Sequence, residues 1–149
     1  MVQRYGRFSA AVSKISYCIQ KIESEVMAKQ GLAGSCAQYL AALGLSEEGM
    51  TVSALGKSCM KDKAAVSRAV AKLEEKGLVQ RNCTGNNIYR APIVLTEKGR
   101  EVSRYVAERA SEVVEIAGLG EADRESFYIA LNTIAENLSK MSEGGLSEQ

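Results

Sequence analysis

The sequence predicts a mainly α-helical protein with one small β-hairpin. Residues 7–30 and 121–141 repeat apolar residues at alternating spacings of four and three, the period of an amphipathic helix. Between them, three shorter helical patterns precede a Thr-Gly-Asn-Asn turn that separates two strand-like runs. We therefore expect long helices towards both ends of the chain and a compact mixed segment in the middle.

The 149 residues provide room for one domain whose core needs no disulfide bonds. The net charge of +1 conceals a local asymmetry, because eleven basic and five acidic side chains lie between Lys57 and Arg104. This window carries +6 and the remainder of the chain −5. A basic centre between acidic flanks indicates a polyanionic partner, although a solvated charged surface gives the same composition.

The chain contains four cysteines and no histidine, and no two cysteines lie within three residues of each other. This spacing does not fit a zinc site, so no metal and no cofactor is predicted. Since no nucleophile–base pair, no paired carboxylates and no glycine-rich phosphate loop are present, we do not expect an enzyme. The absence of a signal-peptide pattern and of an apolar run of about 20 residues predicts a cytoplasmic protein with free thiols and no membrane contact.

The first helix is predicted over residues 7–30 and ends at Gly31, which has the backbone freedom of a C-terminal cap. Its apolar seam repeats every seven residues, as in a helix that packs along another helix, although the chain's own core could also cover it. The seam consists of Phe8, Val12, Ile15, Ile19, Ile22 and Val26. Polar residues, Glu23 among them, occupy the other faces. A short apolar helix over Ser35–Leu43 follows and is expected to be buried.

Two capped helices form the centre of the chain. Thr51 is a good N-cap for a helix over Val52–Ser58, and Asp62 caps the next helix, over Lys63–Lys76. The apolar residues of this second helix that should face inward are Val66, Val70 and Leu73. The side chains that should then face away from the core are Lys63, Ser67, Arg68 and Lys72.

A β-hairpin follows, with strands predicted over Leu78–Asn82 and Ile88–Leu95. Pro92 has no N–H to donate to a neighbouring strand, so the second strand should lie at an edge or be bulged there. A hairpin directly after a helix-turn-helix is the plan of a winged helix, and we assign residues 35–96 to such a lobe.

Two further helices complete the chain. One begins at Thr96 and reaches about Ala117, and the last covers residues 121–141. The last helix carries a second seam, formed by Phe127, Leu131, Ile134, Leu138 and Met141. We expect residues 7–30 and 97–141 to form a helical dimerisation region, which together with the winged lobe makes one domain over residues 1–149.

The second central helix is suited to the major groove of DNA. Arg68 can donate two parallel hydrogen bonds to guanine, Ser67 can bind a base or a phosphate, and small alanines let the backbone approach. Thr51 and the amide groups at the start of its helix offer a phosphate site, and an arginine of the hairpin could reach the minor groove. The predicted DNA-binding residues are Thr51, Lys61, Lys63, Ala64, Ala65, Ser67, Arg68, Lys72 and Arg90.

The run D-K-A-A-V-S-R-A-V-A-K-L-E-E-K-G-L-V at residues 62–79, followed by L-T-E-K-G-R at residues 95–100, resembles the MarR family of bacterial transcriptional regulators. The order of helices extends the resemblance over nearly the whole chain. It implies a homodimer in which the first helix and the last two interlock, bound to a pseudo-palindromic operator in double-stranded DNA, usually as a repressor. The family's wing usually carries an acidic residue shortly before an arginine. The segment from Asn86 to Arg90 lacks that acid, so the corresponding ion pair is not expected.

The resemblance also implies a small-molecule effector that binds between the dimerisation and DNA-binding regions and releases DNA. By position, Tyr17, Tyr39 and Met50 are candidates for lining that site, although the same residues could simply fill the core. Some members of the family sense oxidants through a cysteine near the first helix. Cys18 is the redox candidate on that basis, and a buried structural cysteine is the alternative.

The leading hypothesis is therefore a sequence-specific, ligand-responsive dimeric repressor. One alternative is a winged helix that binds other proteins without specific DNA binding, and another is a cysteine-based redox-sensing regulator. A surface on which Arg68 and Lys63 are not exposed would favour the protein-interaction module.

Overall fold

The computed structural model describes residues 1–83, 90–115 and 118–143, with the backbone alone for residues 113–115. The predicted Thr-Gly-Asn-Asn turn lies outside these residues, as do the first two residues of the predicted second strand. The end of the helix predicted to reach residue 117 and most of the C-terminal tail also lie outside them.

Within the described residues, the chain forms six α-helices and one two-stranded antiparallel sheet. The helices are α1 (Val2–Ala28), α2 (Cys36–Gly44), α3 (Val52–Cys59), α4 (Lys63–Glu75), α5 (Glu97–Glu115) and α6 (Glu121–Glu143). The strands are β1 (Val79–Arg81) and β2 (Ile93–Leu95). This arrangement confirms the predicted fold class, which is mainly α with a small β-hairpin.

The helix boundaries differ from the prediction by a few residues. α1 begins at Val2 rather than at residue 7, because the Met1 carbonyl oxygen accepts hydrogen bonds from the N–H groups of Arg4 and Tyr5 (3.1 and 3.2 Å). α3 includes Cys59, which the prediction assigned to the connection between the central helices.

The chain divides into two compact units, Met1–Ser111 and Glu112–Gln149. The first unit contains the hydrophobic core, to which α2, α3, α4 and both strands contribute. Its largest fully buried side chains are Met27, Leu40, Leu43, Leu55, Leu73, Leu78, Ile93, Val66 and Val70. In the second unit, α6 buries none of its side chains. Across the described ranges, no helix combines the length and the apolar character that crossing a bilayer requires.

The apolar seam of α1 divides into two parts. Val26 is 6% exposed and belongs to the core, and Ile22 packs against that core. The four seam residues nearer the N-terminus are between 39% and 55% exposed; they are Phe8, Val12, Ile15 and Ile19. The chain's own core therefore covers only the C-terminal part of the seam.

The two strands are shorter than predicted. β1 pairs with β2 so that Val79 lies opposite Leu95 and Arg81 opposite Ile93. On the other side of β2, Ile93 exchanges two backbone hydrogen bonds with Met50 (3.0 and 2.8 Å). Pro92 precedes β2 and only accepts a hydrogen bond, from the Asn82 N–H at 2.8 Å, because it has no N–H of its own. The second strand was predicted to lie at an edge or to be bulged at Pro92. In the structure, β2 begins only after Pro92, at Ile93.

Candidate nucleic-acid interface

Side-chain caps fix the start of each central helix. The Thr51 hydroxyl oxygen accepts a hydrogen bond from the Ala54 N–H at 3.1 Å, and a carboxylate oxygen of Asp62 accepts one from the Ala65 N–H at 2.9 Å. Both caps were predicted from residue type, since short polar side chains satisfy the free amide groups of a first helical turn. Hydrogen bonding from Ala65 is the main cause that lowers the pKa of Asp62, with a smaller contribution from the positive charge of Arg68.

The turn between α3 and α4 is tight. Met60 adopts a left-handed conformation (φ 54°, ψ 45°), and the Lys61 N–H donates to the Gly56 carbonyl oxygen at 2.9 Å. A side chain at Gly56 would bring its Cβ atom within 2.9 Å of the Lys61 carbonyl oxygen. The close return of the chain over Gly56 thus sets the angle at which α4 leaves α3.

α4 has one buried and one exposed face. Val66, Val70 and Leu73 are 0% exposed and form the inner face. The exposed side chains of this helix include the four predicted to face outward: Lys63, Ser67, Arg68 and Lys72. The periodicity of the apolar residues therefore predicted correctly which side of the helix is accessible.

The alanines of α4 do not all lie on the accessible face. Ala64 is exposed as predicted, whereas Ala65 and Ala69 are half-buried and Ala69 packs against the core. Ala65, a predicted DNA-binding residue, therefore presents less surface than Ala64, and its contact with DNA stays a prediction. Ala71, which the sequence reasoning did not select, is exposed.

The positive charges surround the accessible face of α4. Lys61 is exposed in the turn ahead of α4. Lys72 is exposed on α4. Burial raises the pKa of the Cys36 thiol on α2, and the positive charge of Lys72 lowers it by a smaller amount.

The end of α4 is held by ion pairing and by a lysine cap. The Arg81 guanidinium on β1 lies 3.0 Å from a carboxylate oxygen of Glu74. The Lys98 ammonium group donates a hydrogen bond of 3.1 Å to the Lys76 carbonyl oxygen just beyond the helix. These contacts tie α4 to the sheet and to the start of α5.

The hairpin contributes Arg90 and is otherwise described only near its base. Arg90 is exposed and precedes β2. The predicted tip lies outside the described residues, so the contact of Arg90 with the minor groove stays a prediction.

The three residues proposed for ligand binding differ in their environments. Tyr39 is 3% exposed within the core, and burial raises its pKa. Met50 is half-buried and packs against the same core. Tyr17 is 69% exposed on α1, outside that core. Tyr39 and Met50 thus have the core positions that were the alternative to a pocket.

The four cysteines are free thiols in distinct environments. Cys18 is exposed, contrary to the alternative of a buried structural cysteine, and Cys83 is exposed as well. Cys36 is buried and Cys59 is half-buried, with its Sγ atom 3.8 Å from the Gln38 carbonyl oxygen. Burial raises the pKa of both Cys36 and Cys59, which favours the protonated, less reactive thiol.

Residues 30–84 match the sequence profile of the MarR family. This segment contains α2, α3, α4 and β1, and therefore the helix-turn-helix with both of its side-chain caps. A comparison with curated proteins finds no match.

Solved structures with this fold include two MarR regulators. One, from Methanosarcina mazei Go1, is 22% identical with a TM-score of 0.67 and covers 90% of this chain and 97% of its own. The other, from Silicibacter pomeroyi, is 23% identical with a TM-score of 0.69 and covers 89% of this chain and 90% of its own.

A third similar structure is a mutant of MepR from Staphylococcus aureus bound to an oligodeoxyribonucleotide. It is 19% identical with a TM-score of 0.58 and covers 88% of this chain and 97% of its own. At these identities the similarity shows the fold. The chain therefore has the fold of these solved MarR regulators, and its residues 30–84 match the profile of that family.

Proposed function

We propose that this protein is a sequence-specific DNA-binding regulator that acts as a homodimeric repressor. Binding of a small molecule would release it from its operator. The observation that carries the proposal is the position of Arg68. Its guanidinium extends from the exposed face of a helix whose opposite face is fully buried, one turn after the exposed Ala64.

A helix of this kind can enter the major groove without disturbing the core. Arg68 and Ser67 would meet base edges, because the first turns of such a helix approach the bases and arginine pairs with guanine O6 and N7. Lys61, Lys63 and Lys72 would lie along the phosphates that border the groove. The capped start of α3 at Thr51, with its free amide groups, would add a phosphate contact.

The exposed apolar seams support the homodimer. Four residues of the α1 seam and five residues of α6 are at least 39% exposed in the single chain. The five are Phe127, Leu131, Ile134, Leu138 and Met141. Two helices with seven-residue repeats that bury little within their own chain are suited to pair with a second copy. We assign residues 7–30 and 97–141 to this dimerisation region and residues 35–96 to the DNA-binding lobe.

Sedimentation of matched variants tests the dimer. Ile15→Glu places a charge within the proposed seam and should convert the dimer to a monomer. Lys14→Glu changes an adjacent exposed residue outside the seam and should leave the dimer intact. Equal masses for the two variants and the wild-type protein would remove the α1 seam from the interface.

The proposed signal for release of DNA is a small-molecule effector. The residues proposed to line its site are Tyr39 and Met50, which lie in or against the core of the DNA-binding lobe, and Tyr17, whose phenol is exposed on α1. The redox alternative rests on Cys18, whose exposure leaves it open to oxidants. Release of bound DNA by phenolic anions or by peroxide distinguishes these two signals.

The proposed function is tested by binding to the DNA upstream of the protein's own coding sequence at two salt concentrations, with scrambled DNA as competitor. We expect binding that resists the competitor and weakens steeply with salt, with a slope of about −0.9 per phosphate contact. Weak binding that scrambled DNA removes equally well would favour the protein-interaction module. Buried side chains at Lys63 and Arg68 would have favoured that module, but both side chains are exposed.

A further inference from the structure

One residue of the helix-turn-helix has a strained backbone without any packing that explains it. Met60 is the non-glycine residue with a positive φ among residues 1–83, 90–115 and 118–143. Elsewhere in these ranges the positive-φ positions are occupied by Gly31, Gly49, Gly77 and Gly118. Glycine adopts this conformation freely, whereas a side chain is strained in it.

The side chain of Met60 does not compensate for this strain inside the protein. It is 72% exposed, whereas Met27, on α1, is fully buried. The backbone needs of the turn are met without it, since the Met60 N–H binds the carbonyl oxygens of Gly56 and Lys57 and the Lys61 N–H binds that of Gly56. The left-handed backbone therefore closes α3, but glycine would close it with less strain, so the turn alone does not explain why this residue is a methionine.

The position of Met60 indicates what that role is. It lies two residues ahead of Asp62, the N-cap of α4, and is followed by the exposed Lys61 and Lys63. If α4 enters the major groove, an apolar side chain just ahead of these cations would meet the duplex most favourably at a thymine C5-methyl group, the apolar group that this groove presents. The unbranched, polarizable thioether of methionine adapts well to such a surface.

We propose that Met60 is a specificity-determining residue that contacts a thymine methyl group in each operator half-site. This inference rests on the proposed function, since it requires that α4 enters the major groove. The strained turn would then hold the side chain in place before DNA arrives, so that little conformational freedom is lost on binding.

In the first step of the test, the wild-type protein selects DNA duplexes from a library of random sequences. The enriched duplex is then used to compare variants. Met60→Gly and Met60→Asn should raise the midpoint of thermal unfolding, because both residues accept a left-handed backbone, yet they should bind the enriched duplex roughly three- to tenfold more weakly. Met60→Leu should bind nearly as well as wild type. Leu45→Ala, at an apolar residue that is 92% exposed after α2, serves as the control and should leave affinity unchanged.

The thymine contact is tested by replacing single thymines with deoxyuridine, which lacks only the C5-methyl group. At one position per half-site, wild-type protein should lose about as much affinity as Met60→Gly loses on the unmodified duplex, and Met60→Gly should lose nothing further there. Equal affinities of wild type and Met60→Gly, or equal losses of both proteins at every deoxyuridine, would overturn the inference. If the wild-type protein enriches no duplex, the proposed function itself fails, which is a different result from specific binding that ignores Met60.

Discussion

The Thr96 hydroxyl donates a hydrogen bond of 2.6 Å to the carbonyl oxygen of Gly77, across 19 residues of sequence. The same hydroxyl oxygen accepts a hydrogen bond of 3.0 Å from the Gly99 N–H in the first turn of α5. Gly77 lies just beyond α4, so one side chain both caps α5 and holds the end of the proposed recognition helix. The T-E-K-G-R run therefore stabilises the junction between α4 and α5.

Removing this hydroxyl should destabilise the protein. Thr96→Val keeps the shape of the side chain but leaves the Gly77 carbonyl and the Gly99 amide without their partner, and we expect a loss of about 1–2 kcal/mol in the free energy of unfolding. Urea denaturation followed by circular dichroism measures the loss. Thr96→Ser retains the hydroxyl and is the control; if it loses as much as Thr96→Val, the hydrogen bonds are not responsible.

Gly99 should tolerate no side chain. A Cβ atom at this position would overlap the Leu78 carbonyl group, which is backbone and has no freedom to move aside. Gly99→Ala is expected to cost about 3 kcal/mol or more, because overpacking here separates α5 from the start of β1.

Gly6→Ala is the matched control for Gly99→Ala. Gly6 lies within α1, and a Cβ atom there meets nothing within 4 Å. This substitution should stabilise the protein by about 0.5–1 kcal/mol through helix propensity. A Gly99→Ala variant with wild-type stability would contradict the close approach to Leu78.

Structural features that depend on residues close together in the sequence were predicted better than contacts between residues far apart in it. The caps Thr51 and Asp62 and the buried face of α4 follow from residue type and helical period, and the structure confirms them. The bond from Thr96 to Gly77 and the burial of Glu23 depend on tertiary packing, which a periodic pattern does not contain. The left-handed Met60 was missed because a glycine at the turn would have been the expected signal.

Arg68 is expected to carry sequence preference rather than general affinity alone. Arg68→Ala should cost roughly 1–3 kcal/mol of specific binding and relax the preference at one base pair. Arg68→Lys keeps the positive charge but not the paired donors, so it should retain the salt dependence and lose most of the preference. Electrophoretic titration against the enriched duplex and single-base variants measures both quantities.

Arg104→Ala is the control for Arg68. Arg104 is an exposed arginine on α5, away from the helix-turn-helix segment, and its removal should leave base preference unchanged. Unchanged affinity and unchanged preference in Arg68→Ala would exclude Arg68 from the recognition surface.

Glu23 should make the stability of the protein dependent on pH. It is a carboxylic acid in α1 that is only 9% exposed, and burial raises its pKa above the ordinary value of 4.5. The folded protein therefore binds this proton more tightly than the unfolded chain does. Stability is greatest below the unfolded value, and it falls as the pH rises from about 4.5 through the raised pKa of the folded state.

Glu23→Gln removes the buried charge and keeps a similar shape. At neutral pH the variant should be more stable than the wild-type protein, and the difference should shrink as the pH falls through the raised pKa and vanish below about 4.5. Thermal unfolding across this pH range measures the difference. Glu25→Gln, at an exposed glutamate of the same helix, is the control for the change from carboxylate to amide. A Glu23→Gln variant that is less stable than wild type at neutral pH would show instead that a partner stabilises the charged carboxylate.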